Sequence, residues 1–124
     1  MKENRAYERL KRLYPTAHWQ RIESWTTPGI LDINGCQDGV EIWVEAKQVA
    51  KPTRETSLIK PTVKKFQVSW EVTRRRAGGR TYVALMVGSE FYLLPGVMLA
   101  QLRDGIPYSI LQLLKIDPRS LFIR

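Results

Sequence analysis

The chain has 124 residues, of which 44% are hydrophobic, and its 20 Lys and Arg against 12 Asp and Glu give a formal net charge of +8. This length suits one domain, and the apolar fraction excludes wholesale disorder. No apolar run approaches the roughly 18 residues of a membrane span, the N-terminus does not resemble a secretory signal, and the single Cys36 excludes an internal disulfide. We expect a cytoplasmic protein whose partner is polyanionic, either nucleic acid or an anionic membrane surface.

The hydrophobic pattern predicts a helix followed by a hairpin. Tyr7, Leu10 and Tyr14 form a helical stripe within residues 2–14, which ends at Pro15. Segments 30–36 and 40–49 alternate like strands around Asp38-Gly39, a strong two-residue hairpin signal. The remaining elements are, in chain order, a loop at 51–62, a segment 63–77 that fits a strand slightly better than a helix, strands at 81–88 and 91–94, and short helices at 96–104 and 108–116.

Charge is unevenly distributed along the chain. Residues 22–59 hold six acidic and three basic side chains, whereas residues 60–80 hold seven basic and one acidic, and residues 1–21 hold six basic and two acidic. Clustered carboxylates repel phosphate, so a plain phosphate-binding surface has no use for them, but an enzyme that holds a divalent cation against a phosphate needs them. The basic segments predict a nucleic-acid partner, and the acidic centre predicts that the protein cuts it.

Two carboxylates are expected to face each other in the predicted hairpin. A two-residue loop at Asp38-Gly39 places Asp32 opposite Glu45 and Ile30 opposite Lys47. Directly opposed side chains project from one face with Cβ atoms about 4.5–5.5 Å apart, and opposed like charges destabilise a hairpin. A divalent cation between the two carboxylates is the natural way to offset that repulsion.

These residues carry a resemblance to a known family. The segments Gly29-Ile30-Leu31-Asp32 and Trp43-Val44-Glu45-Ala46-Lys47 resemble the motif of the PD-(D/E)xK nuclease superfamily, with Leu31 where the family usually has proline. The size and pattern are similar to small stand-alone phage nucleases of the VRR-NUC and Holliday-junction-resolvase-like groups.

The resemblance implies an α/β, restriction-endonuclease-like fold: an αβββαβ core with a mixed central sheet flanked by helices. It covers roughly residues 5–94 of a single nuclease domain over 1–124, and residues 95–124 would form a short C-terminal helical extension. On this basis segment 63–77 is predicted to be a helix, against the slight preference of its periodicity.

The resemblance also implies a metal site. Asp32, Glu45 and the backbone carbonyl of Ala46 would bind Mg²⁺ or Mn²⁺, hard cations that prefer oxygen ligands. Glu23, in the place of an acidic residue that often lies on the preceding helix, would complete that set of ligands or a second metal site. The expected activity is therefore a metal-dependent endodeoxyribonuclease, possibly selective for Holliday junctions or other branched DNA.

Further residues take roles by the same resemblance. Lys47 would orient or deprotonate the attacking water, and Gln67 would position Lys47 or that water. A two-strand cut needs two sites, so a homodimer is expected. Basic residues around the predicted helix are expected to contact DNA: Lys64, Lys65, Arg74, Arg75, Arg76 and Arg80.

Other interpretations of the same residues stay open. Asp32 and Glu45 fit a solvated hairpin face with Lys47 as a surface ion-pair partner worth under about 1 kcal/mol. At the level of function, the rivals are a non-catalytic nucleic-acid-binding module that retains the nuclease fold and, more weakly, a membrane-surface protein. Trp43 either stacks on a base or shields the site, and the apolar segment 106–123 either completes the core or forms a dimer seam.

Overall fold

A five-stranded mixed sheet with helices on both faces forms the centre of the molecule, as seen in a computed structural model that describes residues 4–23 and 26–124. Residues 2 and 3 of the predicted first helix lie outside the described residues. The elements are α1 (Asn4–Leu13), β1 (His18–Arg21), β2 (Ile33–Gln37), β3 (Val40–Val49), β4 (Leu58–Ile59), α2 (Lys65–Arg76), β5 (Arg80–Val87), β6 (Glu90–Pro95), α3 (Met98–Asp104), β7 (Ile106–Pro107), α4 (Tyr108–Leu114) and a 3₁₀ turn at Pro118–Ser120.

The strand order of the sheet is β1-β2-β3-β5-β6. Strands β1, β2 and β3 form an antiparallel meander, β3 pairs with β5 in parallel, and β6 returns antiparallel to β5. The order α1-β1-β2-β3-α2-β5 is the predicted αβββαβ core, so the predicted fold class is confirmed. Periodicity did not reveal β1, because its four residues, His-Trp-Gln-Arg, lie at the sheet edge and none of them is fully buried.

The predicted hairpin register is confirmed for Ile33–Gln37, whereas the predicted pairs of Asp32 with Glu45 and of Ile30 with Lys47 lie outside the ladder. Gln37 pairs with Val40 and Ile33 with Val44, around a turn in which Asp38 has φ 53° and Gly39 has φ 79°. The first strand, however, begins at Ile33 rather than at residue 30. The chain leaves the ladder at Asp32 because that residue's side chain, instead of a backbone carbonyl, accepts the N–H of Ala46.

Segment 63–77 contains a helix, as the resemblance implied and its alternation did not. Helix α2 places Val68 and Trp70 against the sheet and leaves Phe66 exposed. Glu71 is 1% exposed and accepts a hydrogen bond from the Thr81 hydroxyl at 2.6 Å, which fixes the helix to β5. A strand would have buried Phe66, Val68 and Trp70 together on one face, whereas the helix leaves Phe66 exposed.

Two apolar layers cover the sheet. Helix α1 packs on one face, where Leu10, Ile42 and Met86 belong to one buried cluster. Helices α2, α3 and α4 cover the other face, where Leu85 and Leu99 belong to a second cluster. The C-terminal segment completes both clusters: Ile106, Tyr108 and Leu111 are buried in the second, and Leu121 and Phe122 are buried in the first, beneath α1. Among the described residues, no helix has the length and apolar character needed to cross a membrane.

The segment before β2 approaches α2 closely at Gly29, and this contact gives a first prediction. Gly29 has φ +86°, and a Cβ there would lie 2.1 Å from the Phe66 carbonyl oxygen. Gly78 has φ +100° but nothing within 4 Å. We expect Gly78→Ala to cost about 1–2 kcal/mol from the left-handed backbone and Gly29→Ala about 1–3 kcal/mol more from the added clash. Urea unfolding followed by circular dichroism measures both, and equal losses would contradict the prediction.

Candidate active site

The hairpin brings Asp32 and Glu45 together next to the end of its ladder. The backbone N–H of Asp32 donates to Glu45 Oε1 at 3.3 Å, and the N–H of Ala46 donates to Asp32 Oδ1 at 3.1 Å. Residues on a strand alternate between its two faces, so Glu45 shares the α2 side of β3 with Trp43 and Lys47, whereas Ala46 packs in the cluster beneath α1.

Burial makes this pair of carboxylates electrostatically costly. Glu45 is 3% exposed, and burial, followed by the charge of Asp32, raises its pKa to about 8 despite the opposing charge of Lys47. Burial also raises the pKa of Asp32, against the Ala46 hydrogen bond and the charges of Arg21 and Lys47. The charges of Lys47 and Arg21 thus do not fully offset the cost of ionising both carboxyls. Two converging carboxylates are a donor set that Mg²⁺ and Mn²⁺ prefer.

Lys47 is held in one place beside Glu45. Its Nζ lies 3.3 Å from Glu45 Oε2 and donates to the Thr62 carbonyl at 2.6 Å and to Gln67 Oε1 at 3.1 Å. An ammonium group has three N–H donors, so these three acceptors define its position. Because the Lys47 side chain is largely buried, its contact with Glu45 differs from the alternative interpretation, in which the two form an exposed surface ion pair.

Gln67 ties α2 to this cluster. Its Nε2 donates to Glu45 Oε2 at 2.9 Å, while its Oε1 accepts from Lys47 and, at 3.0 Å, from the backbone N–H of Lys64 just before α2. One amide thus orients the carboxylate and the ammonium and also satisfies a donor at the start of the helix. Beside it lies a cavity of about 220 Å³, lined by Lys47, Gln48, Pro61, Thr62, Lys64 and Gln67.

Glu23 is not on a helix, in contrast to its expected placement. It lies exposed after β1, in a segment without regular structure. Over residues 4–23 and 26–124, no group of three or more His, Cys, Asp or Glu side chains is arranged to hold a metal ion, so Glu23 does not join Asp32 and Glu45 in such a group. Helix α1 ends at Leu13, and β1 lies between that helix and Glu23.

The structure divides the six basic residues predicted to contact DNA. Lys64 and Lys65 lie exposed at the start of α2, and Arg74, Arg75 and Arg76 lie exposed in its last turn. Arg80 does not lie on the same side of the sheet as these residues. Thr81 faces α2, so the adjacent Arg80 lies on the other face of the sheet, where it donates to the Leu121 carbonyl at 3.4 Å. Sequence adjacency to the arginine run suggested Arg80, and strand alternation separates it.

Two contributors to the site were not predicted. The charge of Arg21 lowers the pKa of Asp32, and its guanidinium lies 5.4 Å from the Tyr7 ring centroid. The Thr62 carbonyl accepts from Lys47. Recognising β1 in the sequence would have placed Arg21 beside the first residue of β2, its partner Ile33. Every residue has a backbone carbonyl, so the sequence gives no signal that the Thr62 carbonyl contacts Lys47.

Comparisons with known proteins support the fold. No protein-family model matches the sequence, and a search of the curated proteins finds no match. Among solved structures, the chain is similar to Hjc of Archaeoglobus fulgidus, a Holliday junction resolvase from an archaeal hyperthermophile. The TM-score is 0.62 and the identity 21%, over 90% of this chain and 94% of that one. The chain has the fold of a Holliday junction resolvase. The family resemblance predicted from the hairpin motif is therefore confirmed at the level of the fold.

Proposed function

We propose that the chain is a metal-dependent endodeoxyribonuclease that acts on branched DNA such as Holliday junctions. The pair of the half-buried Asp32 and the buried Glu45, with Lys47 and Gln67 bonded to Glu45, carries this proposal. The resolvase fold supports it, because the pair lies in a chain whose architecture matches that of a protein that resolves such junctions.

The proposed reaction is phosphodiester hydrolysis. The oxygen of water forms a bond to phosphorus, the bond to one ester oxygen breaks, and that oxygen takes up a proton, so one end becomes a phosphate monoester and the other a hydroxyl. Asp32, Glu45 and the Ala46 carbonyl would hold Mg²⁺ or Mn²⁺. When bound, such an ion supplies Lewis acidity that activates water and neutralises negative charge on the phosphate.

The residues around the carboxylates have separate tasks in this proposal. Lys47 places a positive charge against the phosphate and the attacking water. Gln67 fixes both Lys47 and Glu45, which limits the motion of the reacting groups. The cavity between Lys47 and Lys64 is lined by two cations and accommodates an anionic phosphate. Glu23 remains a proposed additional ligand, and a homodimer remains the proposed assembly, since resolving a junction needs two cuts.

The experiment is cleavage of matched DNA substrates by the purified full chain. A four-way junction, a Y-shaped branch and a linear duplex of the same sequences are incubated with Mg²⁺, Mn²⁺ or EDTA. We expect cleavage of the branched substrates with either metal and none with EDTA. Cleavage of the duplex at an equal rate would contradict selectivity for branches. Binding of the junction without cleavage under any condition would instead establish a non-catalytic DNA-binding module.

Gln67→Ala tests the positioning role of the amide. Its removal leaves Glu45 Oε2 without a neutral donor and Lys47 without one of its acceptors, so we expect cleavage to fall by about 10- to 100-fold, the usual loss for an outer partner of a metal ligand. The free energy of unfolding should fall by about 1–3 kcal/mol. Gln101→Ala, at an exposed position on α3, is the control. If both variants cleave like the original protein, Gln67 has no positioning role.

A further inference from the structure

The arginine run at the end of α2 contains one side chain that differs from its neighbours. The guanidinium of Arg74 lies over two indole rings, 5.2 Å from the centroid of Trp43 and 4.8 Å from that of Trp70. The two rings contact each other edge to face, with centroids 5.2 Å apart and planes at 63°. Cation–π contact with indole is the strongest of its kind, so two such contacts restrict the position of the Arg74 head group.

The stem of Arg74 is restricted as well. A Cβ at Gly79 would lie 2.7 Å from Arg74 Cγ and 2.8 Å from Cδ, so only glycine leaves room for the stem. The Gly79 N–H also donates to the Arg74 carbonyl at 2.9 Å. Both ends of the side chain are therefore fixed before any ligand arrives, and little rotamer entropy remains to be lost on binding.

The donors of Arg74 are nevertheless unused. In the part of the chain that the structure describes, no hydrogen bond or ion pair involves its guanidinium. The next residue is different: Arg75 Nε donates to the buried Glu71 Oε2 at 2.8 Å. Because the exposed Arg74 presents a planar fork of N–H donors that is held by rings rather than by acceptors, it matches a ligand with two anionic oxygens.

The position of this cluster relates it to the candidate active site. Trp43 precedes Glu45 by two residues and lies on the same side of β3. Along α2, Arg74 follows Gln67 by seven residues, a rise of about 10.5 Å at 1.5 Å per residue. Since nucleotides of a DNA duplex are spaced about 3.4 Å along its axis, a separation of this size is on the scale of a few nucleotides. A guanidinium at this position can contact the strand that is cut while lying away from Asp32, Glu45 and Lys47.

We propose that Trp43, Trp70 and Gly79 hold Arg74 as a preorganised binding site for one DNA phosphate, a few nucleotides from the bond that is cut. The proposal rests on the proposed function and names a residue that binds its substrate. Arg74 positions the strand by a bidentate contact with the phosphate, and Arg75 serves the helix through Glu71. The indoles act as a support for the guanidinium instead of stacking on a base.

Neutral-linkage scanning tests this assignment. A series of junctions is prepared, each with one neutral methylphosphonate in place of one phosphate. Binding of each junction is measured for the Asp32→Asn protein, the parent, which we expect to cleave only very slowly, and for its Arg74→Ala derivative. We expect Arg74→Ala to weaken binding of the unmodified junction by about tenfold, as for loss of a charge-assisted hydrogen bond. A methylphosphonate at one position should weaken junction binding by the Asp32→Asn parent to the same extent. The same methylphosphonate should leave binding by the Arg74→Ala derivative unchanged. The slope of log affinity against log salt should fall by about one.

Two variants make the result specific. Arg74→Lys keeps the charge and loses the fork, so it should bind less tightly than the parent and more tightly than Arg74→Ala. Arg119→Ala is the control, because Arg119 is also an exposed arginine but lies outside the two basic segments, and its guanidinium is already paired with Asp117 at 2.9 Å. Its binding should equal that of the parent.

Three outcomes would overturn the assignment. The first is unchanged binding by Arg74→Ala. The second is a loss that is not specific, because Arg119→Ala or every methylphosphonate position shows it equally. The third is conversion of a dimer to a monomer by Arg74→Ala, which would make the cluster a subunit contact. Failure of the proposed function is distinct from these, because it is absence of cleavage by the unmodified protein. The interference pattern is measured by binding and does not require cleavage.

Discussion

Replacing Asp32 by asparagine is expected to lower metal-dependent cleavage of branched DNA by about 10³-fold. The substitution keeps the shape of the side chain and an oxygen that can accept from the Ala46 N–H. It removes one of the two charges proposed to hold the metal. A bound metal contributes several kcal/mol to stabilising the transition state, and each 1.36 kcal/mol corresponds to about tenfold in rate. Single-turnover cleavage at saturating protein measures the chemical step.

Asp38→Asn is the matched control for this experiment. Asp38 is exposed in the hairpin turn at φ 53°, where asparagine is equally suited, so its cleavage rate should be unchanged. Junction binding by Asp32→Asn should be retained, because the variant loses only negative charge. Cleavage within about threefold of the original rate, in a variant with normal thermal unfolding, would remove Asp32 from the active site.

The second large effect concerns stability in the absence of metal. Because the pKa of Glu45 is about 8 in the folded protein against an ordinary 4.5, the folded state binds a proton more tightly than the unfolded state. Its contribution to stability is therefore fully present below about pH 4.5 and is lost as pH rises to about 8. At about 1.4 kcal/mol per pKa unit, the loss amounts to roughly 2–5 kcal/mol.

Glu45→Gln isolates this contribution. In EDTA, the variant should be as stable as the original protein, or slightly less stable, near pH 5, and roughly 2–5 kcal/mol more stable near pH 9, because it has no buried charge to desolvate. Urea titrations at both pH values measure the difference. Adding Mg²⁺ at pH 9 should stabilise the original protein and not the variant. A stability difference that does not change with pH would contradict the burial of an uncompensated carboxylate.

Local chemistry made much of the site predictable. A two-residue turn fixes the register of a hairpin, so Asp38-Gly39 was enough to place Asp32 beside Glu45 and, by alternation, Lys47 on the same side as Glu45. Gln67 required the family resemblance, because its contact with Glu45 depends on the helical form of α2. Periodicity favoured a strand there, and burial of the polar Glu71 against Thr81 is a tertiary effect that apolar spacing does not reveal.

The failures share a cause. An edge strand of four half-exposed residues has no apolar pattern, so β1 was missed, and Glu23 follows that strand instead of lying on the preceding helix. Arg80 was grouped with the arginine run because it is near in sequence, whereas one residue along a strand reverses the direction of a side chain. The sequence alone does not distinguish Arg74 from Arg76. Only the packing of Arg74 between two indoles and Gly79 distinguishes them.

The parallel pairing of β3 with β5 has a consequence for the timing of activity. Asp32 and Glu45 belong to a hairpin that forms from local contacts, but α2 is anchored to Thr81 of β5, and long-range parallel pairing is slow to form. We therefore expect Gln67 to reach Glu45 only after β5 has been synthesised and paired. If the chain is a nuclease, a growing polypeptide on the ribosome carries its carboxylates early and completes its active site late, when most of the sheet is already in place.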